Sequence, residues 1–244
     1  MQPQSTEASL QVIEIEMWTD LICPWCGIGE RNLTKALCDF SHRDNVRLSL
    51  RAYRLMPGAA PKPVEKAIQD KYELHPHEVI EGIKKLEGIG AAAGLQYHLA
   101  GSWAGDTMDG HRLIKLAGES GKDKDMYHRF FTAAMTEKLP IHDHSVLKKL
   151  ALEIGLDSTA VDEVLEGDLY YDEVEEDERT MKSYGGRGVP FFVINKRYDY
   201  SGALAPEILL NALQKTWQET EDNGTMAAQG GLLCGPDGCI LPPT

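Results

Sequence analysis

The sequence predicts an α/β fold interrupted by a large all-helical insertion. Three observations predict it: a strand, helix, strand pattern over residues 11–53; a long stretch from Val64 to Tyr184 where apolar residues recur at three and four; and two short strands ahead of a final amphipathic helix. At 244 residues, 42% of them hydrophobic, the chain can bury a sizeable core.

Ile13, Ile15 and Met17 alternate with Glu14 and Glu16, as a half-buried strand requires. Gly27 to Phe40 then carries apolar residues at helical spacing, and Pro24 suits the first helical position, where its missing N–H costs nothing. The first helix is therefore predicted from Pro24 to Cys38. Val46, Leu48, Leu50 and Ala52 alternate with Arg47, Ser49, Arg51 and Tyr53 in a second strand, and a helical crossover makes the two strands parallel. Pro57, Pro61 and Pro63 mark the exit into the insertion.

The insertion predicts helices over Val64–Glu73, His77–Ala92, Met108–Ser120, Asp125–Lys138, Ser145–Ile154, Thr159–Leu165 and Leu169–Ser183, separated by Gly94, Gly101, Gly121, Pro140, Gly155 and Gly167. Asp143 and Asp157 are candidate N-caps. Phe191–Asn195 and Arg197–Ser201 predict an antiparallel hairpin joined tightly across Lys196. Pro206 opens the last helix, with Leu209, Leu210, Leu213 and Trp217 on one face. Residues 10–62 and 184–218 thus form one discontinuous domain, residues 63–183 a helical subdomain, and residues 219–244 a flexible tail, its polar, Gly-containing stretch from Glu219 to Gly231 reading as a linker.

The net charge of −13, from 38 acidic and 25 basic residues, argues against nucleic acid and anionic membranes as partners. Met1 to Ser9 has neither a basic nor an apolar leader pattern, and no segment approaches about 18 consecutive apolar residues. A soluble, cytoplasmic protein is expected.

Chemistry concentrates at Cys23-Pro24-Trp25-Cys26, a C-x-x-C at the strand-to-helix junction. Cys23 falls at the N-cap, so its sulfur is expected to face the free N–H groups of the first turn at the positive end of the helix dipole, which favours the nucleophilic thiolate. Cys26, one turn on, lies behind it. Cys23 is the candidate attacking sulfur and Cys26 the candidate resolving one. The same spacing also supplies half of a zinc site or an inert structural disulfide, although a second C-x-x-C is missing. A reducing compartment favours catalytic use of such a pair.

The order β-α-β, helical insertion, β-β-α, with Cys-Pro-Trp-Cys after strand one and Gly188-Val189-Pro190-Phe191 before strand three, resembles the DsbA-like branch of the thioredoxin fold over roughly residues 10 to 218. Within that branch Gly27-Ile28-Gly29, the segment from Met108 to Leu113 and a tail with a second cysteine pair are similar to the FrnE-type proteins, thiol-disulfide oxidoreductases or isomerases. The resemblance implies a cis Val189–Pro190 peptide beside the sulfurs, whose backbone pairs with an extended substrate. It also implies cysteine-containing protein substrates, glutathione or a thioredoxin-like protein as electron donor, and no cofactor or metal. Strongly oxidising members carry His where Trp25 stands here. Because an indole cannot stabilise the thiolate as imidazole does, the couple is expected to be less oxidising, which suits a reductase or isomerase. Trp25 is a candidate flat contact for substrate, or packs on the insertion. Thioredoxin-like proteins also resemble one another in a buried acid near the resolving cysteine, and Glu16 is the candidate proton acceptor here, or else an ordinary solvent-facing strand glutamate.

Cys234 and Cys239 flank Gly235-Pro236-Asp237-Gly238, a strong turn signal, and read as a labile accessory redox pair exchanging with Cys23/Cys26, as incidental cysteines of a disordered tail, or as partners of Cys23 and Cys26 in a joint zinc site. Cys38 lies three turns beyond Cys26, about 18 Å away at 1.5 Å per residue, too far to pair, and is expected to be a buried thiol. Asp172, Glu173, Glu175, Glu176, Asp177 and Glu178 are expected to form a solvated face, and His111 to be a hydrogen-bonded core histidine. Two rival functions share this fold: a glutathione-dependent isomerase or transferase for small aromatic compounds, which characteristically lacks the paired cysteines, and a non-catalytic redox sensor.

Overall fold

A computed structural model describes the backbone of residues 11–229, 234–235 and 238–239, and the side chains of residues 11–220. Four strands form the main sheet in the order β2-β1-β5-β6, with β1 at Ile13–Thr19, β2 at Val46–Ala52, β5 at Phe191–Ile194 and β6 at Tyr198–Ser201. β1 runs parallel to β2 and antiparallel to β5, pairing Ile15 with Leu48 on one side and Ile194 on the other. The predicted crossover is α1, Pro24–Asp39. Asn195 and Lys196, at φ 50° and 54°, are the central residues of the turn in the three-residue β5–β6 connection, closed by the Arg197 N–H donating to the Ile194 carbonyl at 3.0 Å, a turn that needs both in the left-handed region.

One face of this sheet is covered by α1 and by α9, Pro206–Gln229, around Ile13, Ile15, Met17, Leu33, Phe192 and Leu213. The other face carries Trp18, Phe191 and Val193 against Met181 of α8, Tyr171–Ser183, and the Trp18 indole N–H donates to the Asp177 carbonyl at 2.7 Å. All four residues of β5 are buried, as a central strand covered on both faces requires.

Between β2 and β5 lie α2 (Val64–Tyr72), α3 (Pro76–Ala92), α4 (Met108–Gly118), α5 (Asp123–Met135), α6 (His144–Glu153), α7 (Ser158–Glu166) and α8. The expected helices are therefore present, and Asp143 and Asp157 cap α6 and α7 by accepting from the N–H groups of Ser145 and Ala160. The expectation of an insertion without strands is corrected by β3 (Lys62–Pro63) paired with β4 (Trp103–Ala104), two residues each and too short to show alternation. No helix among the described residues is long and apolar enough to cross a membrane.

Three further expectations are corrected. The tail reads as a linker from Glu219, yet α9 continues to Gln229, since the stretch lacks proline and Glu, Met, Ala and Gln are good helix formers. Cys38 is exposed, because it falls on the α1 stripe of Arg31, Thr34 and Lys35, opposite the buried Leu33 and Ala36. Asp177 and Glu178 are buried, not solvated. Asp177 meets Arg51 at 3.2 Å and Lys115, and Glu178 meets Arg54 at 2.8 Å, so the inner edge of an acidic helix neutralises cations on and after β2.

Candidate active site

Cys23, the candidate nucleophile, is placed by a chain reversal between β1 and α1. The Cys23 N–H donates to the Asp20 carbonyl at 3.2 Å and the Cys26 N–H to the Cys23 carbonyl at 2.9 Å, which sets Cys23 as the N-cap with extended φ and ψ. The expected capping role of its sulfur is corrected: Cys23 makes no side-chain cap hydrogen bond. As a thiol it donates to the Val189 carbonyl at 3.5 Å. This contact sets the sulfur beside the loop before β5, in which Val189–Pro190 is cis.

Two glycines allow this approach. A Cβ on Gly29 would stand 2.8 Å from the Pro190 ring, and one on Gly27 would stand 2.5 Å from the Tyr97 hydroxyl, which in turn donates to the Pro24 carbonyl at 2.7 Å. Gly29→Ala is expected to destabilise the fold by about 1–3 kcal/mol, the usual cost of overpacking, read as a lower urea midpoint. A midpoint equal to wild type would show that α1 and the Pro190 loop separate freely.

Cys23 is mostly buried but borders an apolar groove of about 550 Å³ between α1, α2 and α3. Ile68, Tyr72, Val79, Ile83 and Leu86 line it, and Trp25, 44% exposed, stands at its rim. Trp25 thus faces solvent and the groove.

Cys26 has no exposed surface. Burial, and after it the adjacent Cys23, pushes its thiol well above the ordinary value, a shift that the neighbouring Thr19 side chain and Asp20 backbone only partly oppose. The folded, reduced chain therefore holds a proton that the unfolded chain releases. That contribution to stability is fully present below about pH 8.5, the value of a free thiol, and is lost as pH rises toward the folded value. Urea titrations at pH 7 and pH 10 are expected to show the reduced wild type losing more stability than Cys26→Ala; equal losses would contradict the assignment.

Glu16 is not brought to the sulfurs. Its carboxylate accepts two bonds from Arg51, at 2.9 and 2.6 Å, and the groups acting on Cys26 are Cys23, Thr19 and Asp20. Sequence reasoning missed Asp20, fully buried, and its neighbours Thr19 and Thr107. The one available signal was an acid just ahead of the apolar run Leu21-Ile22-Cys23, three positions before Cys23. His111 is buried as expected, but its Nε2 makes no hydrogen bond among the described residues, a correction with a physical cause: Asp20 Oδ1 stands 3.7 Å away while the Thr107 hydroxyl holds that oxygen at 2.7 Å. The accessory cysteines sit on a two-stranded ladder, β7 (Cys234–Gly235) and β8 (Gly238–Cys239), with Cys234 opposite Cys239. Their side chains lie outside the described residues. Among the described residues no three His, Cys, Asp or Glu side chains converge to hold a metal ion.

The profile of the DSBA-like thioredoxin domain matches residues 14–214. The chain belongs to this family. The DsbA-like fold recurs in the crystal structure of a "probable DsbA oxidoreductase" from Streptomyces coelicolor, 34% identical over 95% of this chain and 100% of that one, with a TM-score of 0.81. The cytosolic disulfide reductase DsbM from Pseudomonas aeruginosa, 16% identical over 84% of this chain and 98% of that one (TM-score 0.58), shares the fold. So does a 2-hydroxychromene-2-carboxylate isomerase, 13% identical over 86% and 98%, with a TM-score of 0.63. No curated protein sequence matches the chain.

Proposed function

We propose that this DsbA-like chain is a cytoplasmic thiol-disulfide oxidoreductase of the FrnE type that reduces or isomerises disulfides in protein substrates. The observation that supports it best is the Cys23 thiol, placed 3.5 Å from the Val189 carbonyl at the edge of an apolar groove, with Cys26 behind it. Cys23 attacks one sulfur of a substrate disulfide and releases the other as a thiolate. Cys26 then attacks the Cys23 sulfur, closing the Cys23–Cys26 disulfide and freeing the substrate. The Val189-Pro190 backbone is the surface along which an extended substrate strand lies, while Trp25 and the groove take its apolar side chains. Glutathione or a thioredoxin-like protein returns the pair to the thiol state, and Cys234/Cys239 serves as an accessory pair in electron exchange with it.

Separate redox titrations of Cys23/Cys26 and Cys234/Cys239 against glutathione test this. A first couple more negative than the cytosolic glutathione pool supports reduction, and one near it supports isomerisation. If the chain fails to accelerate insulin precipitation by dithiothreitol but turns over a small aromatic substrate with glutathione, the rival isomerase reading replaces this one.

A further inference from the structure

The two most exposed tryptophans, Trp25 and Trp103, both stand on the groove beside Cys23, 44% and 39% exposed, together with Tyr72 at 59%. Large rings left in solvent around one apolar cavity mark a surface that a partner covers. Met56 and Met135, unbranched and polarisable, let its wall fit side chains of differing shape.

The charge at the groove runs against the charge of the chain. With 38 acidic and 25 basic residues the surface at large repels acidic polypeptides. Among the described residues, however, the charged groups lining the groove are two lysines, Lys71 of α2 and Lys85 of α3, and one acid, Glu78. Glu78 is committed to its own helix, accepting the His75 N–H at 2.8 Å in the capping box of α3. Other acids of α2 and α3 are committed too: Glu65 to the Gly101 N–H and Glu87 to the Leu99 N–H, each at 2.7 Å, and Asp70 to Lys62 and Lys66. Glu73 and Glu81 do not line the groove. Among the described residues neither Lys71 nor Lys85 meets a carboxylate. Lys71 Nζ stands 5.5 Å from the centre of the Tyr72 ring, a cation–π contact that holds the ammonium at an aromatic lip without neutralising it.

We propose that this groove selects, among disulfides of protein substrates, those whose cysteine lies within a few residues of both a large apolar side chain and Asp or Glu. The proposal rests on the disulfide-exchange reading and names the substrate class of that site. The apolar side chain enters against Trp25 and Trp103, the flanking carboxylates meet Lys71 and Lys85, and Cys23 attacks the sulfur carried beside them. Carboxylates elsewhere on the substrate face an acidic surface, so the two lysines set where an acidic segment can settle. A lysine-flanked cysteine meets like charge at the same place.

Four peptides test this, each closed by one disulfide and identical except beside one cysteine, which carries Leu with two Glu, Leu with two Gln, Leu with two Lys, or Ser with two Glu. Each in excess oxidises the reduced chain: the Cys23 and Cys26 thiols become a disulfide while the two peptide sulfurs become thiols. The second-order rate constant is read by thiol trapping and mass spectrometry. Each is divided by the same peptide's rate with dithiothreitol, which cancels the effect of its charges on its own disulfide. At low salt wild type is expected to react about tenfold faster with the leucine–glutamate peptide than with the leucine–lysine peptide, the glutamine peptide lying between. At 1 M salt, where screening acts within about 3 Å, the gap is expected to fall below about twofold. Serine for leucine is expected to slow the reaction about tenfold. Lys71→Gln/Lys85→Gln is expected to level the charge order and Lys71→Glu/Lys85→Glu to reverse it. Both lysines are exposed, so both variants are expected to fold, and damage to the structure would slow all four peptides alike without changing their order. Equal rates with the acidic and basic peptides, an order that persists in the Lys→Glu variant, or a serine peptide as fast as its leucine counterpart overturns the selection and leaves the exchange reading standing. A wild-type chain that stays reduced with all four peptides overturns both.

Discussion

Replacing Cys23 with serine is expected to bring disulfide exchange to the uncatalysed background, a loss of at least ~10³-fold, while leaving the fold intact. The hydroxyl of serine stays protonated at neutral pH and cannot form a disulfide, so the first covalent step has no substitute. The structural cost is small. The Cys23 thiol makes only one weak bond, to the Val189 carbonyl at 3.5 Å, and leaves its helix N-cap unsatisfied. Serine is among the best N-cap residues, so thermal unfolding of Cys23→Ser is expected at or above the wild-type temperature. An insulin assay on the folded variant decides the matter. Retained activity would point to chemistry that a hydroxyl can perform, as in the glutathione-dependent isomerases, and would remove Cys23 from the nucleophile's role.

Arg54→Met is expected to give the largest loss of stability, about 3–5 kcal/mol, the range for breaking a buried ion pair from one side. The Arg54 side chain is 7% exposed and meets Glu178 through two nitrogens, at 2.8 and 3.2 Å, and Asp106 at 3.3 Å. Glu178 also accepts the Arg54 backbone N–H at 3.1 Å. Removing the guanidinium strands the Glu178 carboxylate between α8 and the chain leaving β2, with water too scarce to solvate it. Asp106 is more exposed and loses less. The double variant Arg54→Met/Glu178→Met is expected to recover part of the loss in urea unfolding, because it removes the isolated charge. No recovery would assign the effect to packing of the arginine stem.

The elements that proved legible in the sequence are those whose pattern is local. Alternation at Ile13, Ile15 and Met17 predicts β1, spacing at three and four predicts the seven insertion helices, and Asp143 and Asp157 announce two of their caps. Cys23 and Cys26 are legible because a strand-to-helix junction reads from adjacent residues. What failed depends on partners distant in sequence. Asp177 and Glu178 look like any solvated acids until Arg51, Lys115 and Arg54 are brought to them. The pairing of Glu16 with Arg51 has no trace in the local sequence, and His111 looks like an ordinary core histidine until Asp20 is placed beside it. The pair β3 and β4 is too short for any periodicity, and Cys38 follows from the rotational phase of α1, which its hydrophobicity alone does not reveal.

The central strand also governs the order in which the molecule can assemble. β1 finds β2 soon after it is made, but its other neighbour, β5, is translated only after the whole insertion. Trp18 cannot meet Phe191, nor the Cys23 thiol reach the Val189 carbonyl, until the ribosome has finished nearly all of the polypeptide. The nascent chain therefore carries Cys23 and Cys26 without their neighbouring loop for most of synthesis, and the long sequence separation of β1 and β5 makes closure of the sheet the slow event of folding.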